Sequence, residues 1–370
     1  MRRGSDLRRE YDAALTRHGY AADAAQLRAI ARLDDLARRL RRRAGLKPSV
    51  LAQWVGRLRG PADAATTERG LYLWGGVGRG KTFLMDLFHA HLGVPARREH
   101  FHRFMKDVHG RLRELRDLPN PLERVAADMA RDARVLCLDE LFVSDIADAM
   151  LLAGLFDGLV ERGVTLVFTS NAPPAELYRD GLQRQRFLPA IALIERHTEV
   201  INVDGGNDYR LRQLEKAPLY LDAAAPGAAA SLAQRFTELA GAAPGGPGAV
   251  VIEGRPIACC AATEEVIWFD FPAICDGPRS QADYVELARD YHTVLVAGVP
   301  CLDATQEDQA RRFIALVDEF YDRGVKLVLS AYAPLDRLYA GERLRFEFQR
   351  TRSRLAEMQT HEYLARPHKP

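Results

Sequence analysis

Leu71-Tyr-Leu-Trp-Gly-Gly-Val-Gly-Arg-Gly-Lys-Thr82, followed by Phe83-Leu-Met-Asp-Leu-Phe88, decides the expected fold of this 370-residue chain. An apolar run that reads as a buried strand enters a glycine-rich loop, and a helical pattern leaves it. Gly75, Gly76, Val77, Gly78, Arg79 and Gly80, with Lys81 and Thr82, satisfy G-x-x-x-x-G-K-[ST] in the order of elements the motif requires. Glycines let backbone N–H groups wrap a phosphate, and the helix N-terminus adds its positive end. Lys81 can neutralise charge on β- and γ-phosphates, and the Thr82 hydroxyl can ligate Mg²⁺. ATP with Mg²⁺ is the expected ligand.

Outward from this loop, short apolar runs at 71–74, 101–104, 134–138, 164–169 and 198–203 alternate with helical segments. That alternation predicts an α/β domain on a parallel sheet. One of these strands, Arg134-Val-Leu-Cys-Leu-Asp139-Glu140, ends in two carboxylates. Asp139 is expected to orient Mg²⁺ through water, and Glu140 to act as the general base on the attacking water. A small-molecule kinase must keep water out and has no need of that glutamate, so the pair predicts hydrolysis. The following strand ends in Ser170-Asn171, where Asn171 can reach the γ-phosphate and hold the water opposite Glu140. Arg184 and Arg186 follow on a helical segment, and either could serve a neighbouring subunit as an arginine finger. Arg350-Thr-Arg-Ser-Arg354 is a candidate second cation. His100, His102 and His109 lack an acidic or cysteine partner at ligand spacing, and His100 and His102 are expected on one strand face, so core or surface histidines are the better reading.

The wider composition fits a globular protein, at 47% hydrophobic and 28% charged residues. No stretch approaches 18 consecutive apolar residues, which excludes an ordinary membrane-spanning helix. Net charge is +2, but residues 1–60 carry fifteen Arg and Lys against six Asp and Glu, a local +9, leaving −7 elsewhere. Such an arm suits an acidic protein, a nucleic acid or a lipid surface, and more plainly a solvated helical face. Five cysteines without C-x-x-C spacing indicate reduced, mostly buried thiols. With no apolar signal region and with Asp6, Glu10 and Asp12 in the arm, the expected location is the cytoplasm.

Four regions are expected: a helical basic part at 1–60, the phosphate-loop core at 61–215, an Ala/Gly/Pro-rich segment and loop at 216–248, and an α/β part at 249–370. The last contains an echo. Arg162-Gly-Val-Thr-Leu-Val-Phe-Thr-Ser-Asn-Ala-Pro173 returns 161 positions later as Arg323-Gly-Val-Lys-Leu-Val-Leu-Ser-Ala-Tyr-Ala-Pro334. Duplication or the common grammar of helix-to-strand units would each explain it, and the second is the expectation taken here.

Several further stretches join these: Phe101-His-Arg-Phe-Met105, Val143-Ser-Asp-Ile-Ala-Asp-Ala-Met150, Thr169-Ser-Asn-Ala-Pro-Pro174, Asp180-Gly-Leu-Gln-Arg184, Asp283-Tyr284 and Ser353-Arg-Leu-Ala-Glu-Met358. Together they resemble, from about residue 45 to 365, the family of ZapE cell division ATPases and their mitochondrial AFG-like relatives of the AAA+ class. The resemblance implies an AAA+ P-loop ATPase in which Lys81 and Thr82 hold nucleotide and Mg²⁺, Asp139 and Glu140 form the acidic motif, Asn171 is the sensor and Arg184 the finger. It implies action on the tubulin-like division protein FtsZ, lowering polymer stability in the presence of ATP, and a homo-oligomer is expected, as a finger in trans requires. The alternatives are an ATP-gated nucleic-acid loader and a membrane-protein quality-control ATPase. A peripheral membrane contact stays open, and nucleic acid is not an expected partner.

Overall fold

A computed structural model describes residues 6–18, 22–45, 67–76, 78–205, 214, 218–241 and 243–369. Val77 of the expected phosphate loop and the helix expected beyond residue 45 lie outside these residues. The chain forms two compact units, Met1–Asn207 and Asp208–Pro370.

In the first unit, period-2 alternation builds a sheet buried on both faces. Leu71 and Leu73 of β1 (Gly70–Trp74) pack with Val135, Cys137 and Val167 against α1 (Asp6–His18), α2 (Ala24–Gly45) and α3 (Lys81–Ala90). Tyr72 and the intervening Leu136, Leu138, Leu166 and Phe168 pack on the other face. There they meet α4 (Phe101–Glu114), α5 (Pro121–Asp132), α6 (Ile146–Glu161) and α7 (Leu188–His197). The five parallel strands lie in the order β2-β3-β4-β1-β5. The others are β2 (Ala96–His100), β3 (Val135–Asp139), β4 (Thr165–Ser170) and β5 (Thr198–Asn202). This is the α/β architecture the sequence predicts.

One expected strand is a helix. Residues 101–104 open α4, because Phe101, Phe104, Met105 and Val108 are buried at helical spacing. The strand lies just before it, in Ala-Arg-Arg-Glu-His, at the sheet edge where charged side chains are tolerated. His100 and His102 therefore do not share a strand face: His100 ends β2, His102 stands in the first turn of α4, and their rings are 6.3 Å apart.

The second unit has its own sheet, in the order β6-β12-β11-β10-β9, beside a β7-β8 hairpin. Its strands are β6 (Tyr220–Asp222), β7 (Gly248–Ile252), β8 (Arg255–Cys259), β9 (Ala261–Ala262), β10 (Val266–Asp270), β11 (Thr293–Val299) and β12 (Lys326–Ala331). Between them run α8 (Ala228–Ala240), α9 (Phe271–Cys275), α10 (Gln281–Asp290) and α11 (Glu307–Arg323), with α12 (Arg345–Glu357) after β12. The middle of the Ala/Gly/Pro-rich stretch is thus the body of α8, whose buried Leu232 and Phe236 join this unit's core. No described helix is long and apolar enough to cross a membrane.

Candidate functional site

The site is set by strand order. β4 lies between β1 and β3, so the end of β4 brings Ser170-Asn171 between the glycine loop leaving β1 and the carboxylates ending β3. At the loop, Gly78 and Gly80 have φ of 72° and 78°, the left-handed region that a side chain disfavours. A Cβ on Gly80 would also meet Gln26 Nε2 at 2.7 Å. Gly80 caps α3, and Lys81 is the first helical residue with Thr82 beside it.

Lys81 is buried to 8% exposure. Its ammonium donates to Gly75 O at 2.8 Å, Gly76 O at 2.7 Å and Asn171 Oδ1 at 2.9 Å. A cation ringed by oxygens inside a glycine cradle is a receptor for phosphate oxygens, which can replace those acceptors one for one. The residues present fit the expected nucleotide. They also fit a hard divalent cation, since the Thr82 hydroxyl and the Asp139 carboxylate are the oxygen donors such an ion takes.

Asp139 is fully buried. Its Oδ1 accepts from Thr169 Oγ1 at 2.9 Å and its Oδ2 from Arg98 Nε at 2.8 Å. The same Thr169 oxygen accepts the Glu140 N–H at 2.9 Å. That bond holds Glu140 at φ 56°, a conformation costing a non-glycine residue on the order of 1 kcal/mol and found most often where a side chain must be aimed. Glu140 is half-buried, with Oε2 4.0 Å from His100 Nδ1. At the turn after β4, Tyr72 OH donates to Ala172 O at 2.8 Å. Burial pushes the Tyr72 phenol far above its ordinary range, so it remains a donor and clamps the turn that carries Asn171.

The structure thus joins Lys81 to Asn171 and Asp139 to Glu140 through Thr169, at the ends of adjacent strands. Arg184 stands on a 3-10 turn and donates to Ala175 O at 2.6 Å, while Arg186 is exposed. Gly181 has no freedom before this turn, because a Cβ there would lie 2.2 Å from the Tyr178 ring. The arginines at 350 and 354 are committed within their own unit: both pair with Asp318, and Arg354 covers the Tyr321 ring at 4.6 Å. His109 pairs with Asp148 at 2.7 Å. The basic arm is likewise used inside the fold: Arg38 pairs with Asp34, Arg39 with Asp35 and Glu68, and Arg41 donates to His91 O.

Three contributors escape sequence reasoning. Thr169 is a strand residue indistinguishable by pattern from its neighbours, and Arg98 sits in an edge strand. Gln26 of α2 donates to Arg79 O at 2.7 Å and accepts from Tyr11 OH at 2.8 Å, tying both N-terminal helices to the phosphate loop. Arg79 itself pairs with Asp204 at 2.9 Å.

Arg98 offers a direct test of the carboxylate's support. Its side chain is 8% exposed and that of Asp139 0%, so removing the cation strands a buried charge. Breaking a buried pair from one side costs about 3 kcal/mol or more. The Arg98→Met protein is expected to unfold roughly 6–12 °C below wild type by calorimetry. An unchanged midpoint would show that Asp139 does not depend on Arg98.

The model of the AFG1-like ATPase family matches residues 6–367. The cell division protein ZapE of Escherichia coli K12 is 48% identical over 364 residues, covering 97% of each chain. Lactation elevated protein 1 homolog B of Danio rerio is 38% identical over 342 residues, covering 80% of this chain and 68% of that one. A crystal structure of DnaI aligns with 49% of this chain and 84% of its own at a TM-score of 0.34 and 18% identity.

Proposed function

The chain belongs to the AFG1-like ATPase family, and from that premise we propose that it is a Mg²⁺-dependent ATP hydrolase of bacterial cell division that lowers the stability of FtsZ polymers. The observation that carries the chemistry is the junction of Lys81 with Asn171 beside the Asp139–Thr169–Glu140 chain. The division role rests on the likeness to ZapE over nearly the whole length of both proteins.

In this reading the loop 75–80 and Lys81 bind the β- and γ-phosphates of ATP. Binding exchanges the Lys81 contacts to Gly75, Gly76 and Asn171 for phosphate oxygens, which frees the Asn171 amide to hold the attacking water. Glu140 takes the proton of that water as it attacks the γ-phosphorus in line, and the ADP β-phosphate leaves. Mg²⁺, when bound, would be held by Thr82 and through water by Asp139, and would neutralise charge on the β- and γ-phosphates. Arg184 is the finger, supplied across a homo-oligomer to a neighbour's γ-phosphate. The proposed location is the cytoplasm.

The test is ATP turnover with and without polymerised FtsZ, scored beside sedimentation of the polymer. Stimulated hydrolysis, with polymer lost under ATP but not under a non-hydrolysable analogue, is the expected result. Hydrolysis that ignores FtsZ, with sedimentation unchanged, would overturn the assignment of FtsZ while keeping the ATPase.

A further inference from the structure

The echo in the sequence extends much further in three dimensions. In the first unit the strands that follow one another as β1, β2, β3 and β4 lie as β2-β3-β4-β1, all parallel. In the second, β6, β10, β11 and β12 lie as β10-β11-β12-β6, again all parallel. In both, the first strand crosses the sheet to pair with the fourth. The hairpin and the short β9 are additions between α8 and β10.

The agreement reaches single hydrogen bonds, with β4 and the residues after it matched at the same shift of 161 positions, the leading strands at 148 and the ends of the third strands at 158. Tyr72 faces Phe168 and donates to Ala172 O at 2.8 Å, while Tyr220 faces Leu329 and donates to Ala333 O at 2.7 Å. Burial and the nearby Asp336 push the Tyr220 phenol up to about 12, so it too remains a donor. The first loop residue after each leading strand bonds to the matching carbonyl: Gly75 N to Ser170 O, and Ala223 N to Ala331 O. Each loop then ends in a left-handed glycine capping a helix, Gly80 at φ 78° and Gly227 at φ 80°. At the end of the third strand, Glu140 N bonds to Thr169 Oγ1 with φ 56°, and Gly298 N bonds to Ser330 Oγ with φ 72°. Further on, Tyr178 packs on Phe187 at 5.6 Å, and Tyr339 on Phe348 at 5.0 Å. Any helix-to-strand unit would share a periodicity. Shared crossing order, register, loop tether, left-handed positions and side-chain clamps are not part of that common grammar.

What differs is the chemistry. The loop Ala223-Ala-Ala-Pro-Gly227 replaces Gly75–Gly80 and is one residue shorter, and Ala228 stands where Lys81 does. By register, Ala297 and Gly298 stand for Asp139 and Glu140, and Tyr332, 62% exposed, for Asn171. Of the side chains assigned to phosphate, cation or water in the first unit, Lys81, Thr82, Asp139, Glu140 and Asn171 have no counterpart, and only Arg184 keeps one, Arg345, while the scaffold that aimed them remains.

We propose that residues 218–364 are a second copy of the phosphate-loop fold from which nucleotide chemistry has been removed, so that each chain holds a single nucleotide, at the first unit. Ser330 continues to do Thr169's structural work, fixing a left-handed residue that no longer carries a base. The inference rests on placing the nucleotide at Lys81.

Equilibrium dialysis of ADP against the full chain tests the stoichiometry, with thermal unfolding of Ser330 variants as an independent arm. The expected results are one ADP per wild-type chain, none for Lys81→Ala, a melting point lowered by about 2–4 °C in Ser330→Ala, and its recovery in Ser330→Thr, the residue of the first copy. A second equivalent of ADP that survives Lys81→Ala would overturn the proposal. A Ser330→Thr protein no more stable than Ser330→Ala would overturn the equivalence of the two scaffolds. Should wild type bind no ADP, the phosphate-loop assignment itself falls, and the Ser330 pair then decides whether the fold is repeated.

Discussion

Glu140→Gln is expected to hold ATP as wild type does and to hydrolyse it at least about 100-fold more slowly, the lower end of what a positioned general base contributes. The substitution keeps the shape of the side chain and the backbone bond from Glu140 N to Thr169 Oγ1, so the φ of 56° and the aim of the residue are unchanged. The lost property is the carboxylate's capacity to take a proton. Lys81, the glycines and Asp139 are untouched, so binding should persist, and single-turnover kinetics with a radiolabelled γ-phosphate would separate the two. Glu140→Gly sharpens the test, since glycine accepts a positive φ without the steric penalty. Glu140→Gly should be equally inactive without loss of stability. Hydrolysis at the wild-type rate in Glu140→Gln would move the base elsewhere, first to His100, whose Nδ1 lies 4.0 Å from Glu140 Oε2.

The parts of this site legible in the sequence are those whose chemistry is local. A glycine loop between strand and helix announces its conformation because each residue's role depends on near neighbours, and β1, the loop and α3 stand where the motif puts them. Asp139 and Glu140 are legible because an apolar run must end somewhere, and its end is where a parallel sheet exposes functional groups. The contacts that position these residues are long-range. Arg98 reaches Asp139 only because β2 pairs with β3, and the edge placement that lets β2 be charged also hid it behind the more apolar start of α4. Gln26 meets Arg79 O across 53 residues, for which no spacing rule exists. Charge misleads in the same way: the sequence counts the arm's arginines as an excess, whereas the fold pairs several with acids one turn away. The repeat was legible only where β4 and β12 kept similar residues. Elsewhere it survives as register and hydrogen bonding, which the sequence does not display.

Lys81→Ala should abolish nucleotide binding at ordinary concentrations, and its apo form shows why the loss is specific. The ammonium donates to two loop carbonyls and to Asn171, whereas the loop's other cation, Arg79, is paired with Asp204. If two of those bonds become charge-assisted bonds to phosphate, each is worth about 1.5–3 kcal/mol, and their loss weakens binding roughly 10²–10⁴-fold. Ligand-induced stabilisation gives the readout. At 100 times its dissociation constant a ligand stabilises the fold by about 2.7 kcal/mol, whereas a 100-fold loss of affinity leaves about 0.4 kcal/mol at the same concentration. A clear ATP-dependent rise in melting temperature in wild type should therefore nearly vanish in Lys81→Ala. Lys81→Arg is expected to fare little better, because a planar fork cannot satisfy a cradle shaped around a compact ammonium that is 8% exposed. The freed carbonyls of Gly75 and Gly76 can turn to water, so the apo protein should keep its fold, and the defect should be confined to the ligand. A Lys81→Ala protein still stabilised by ATP as wild type is would mean that backbone N–H groups alone carry the phosphate, and that the lysine serves only to hold Asn171.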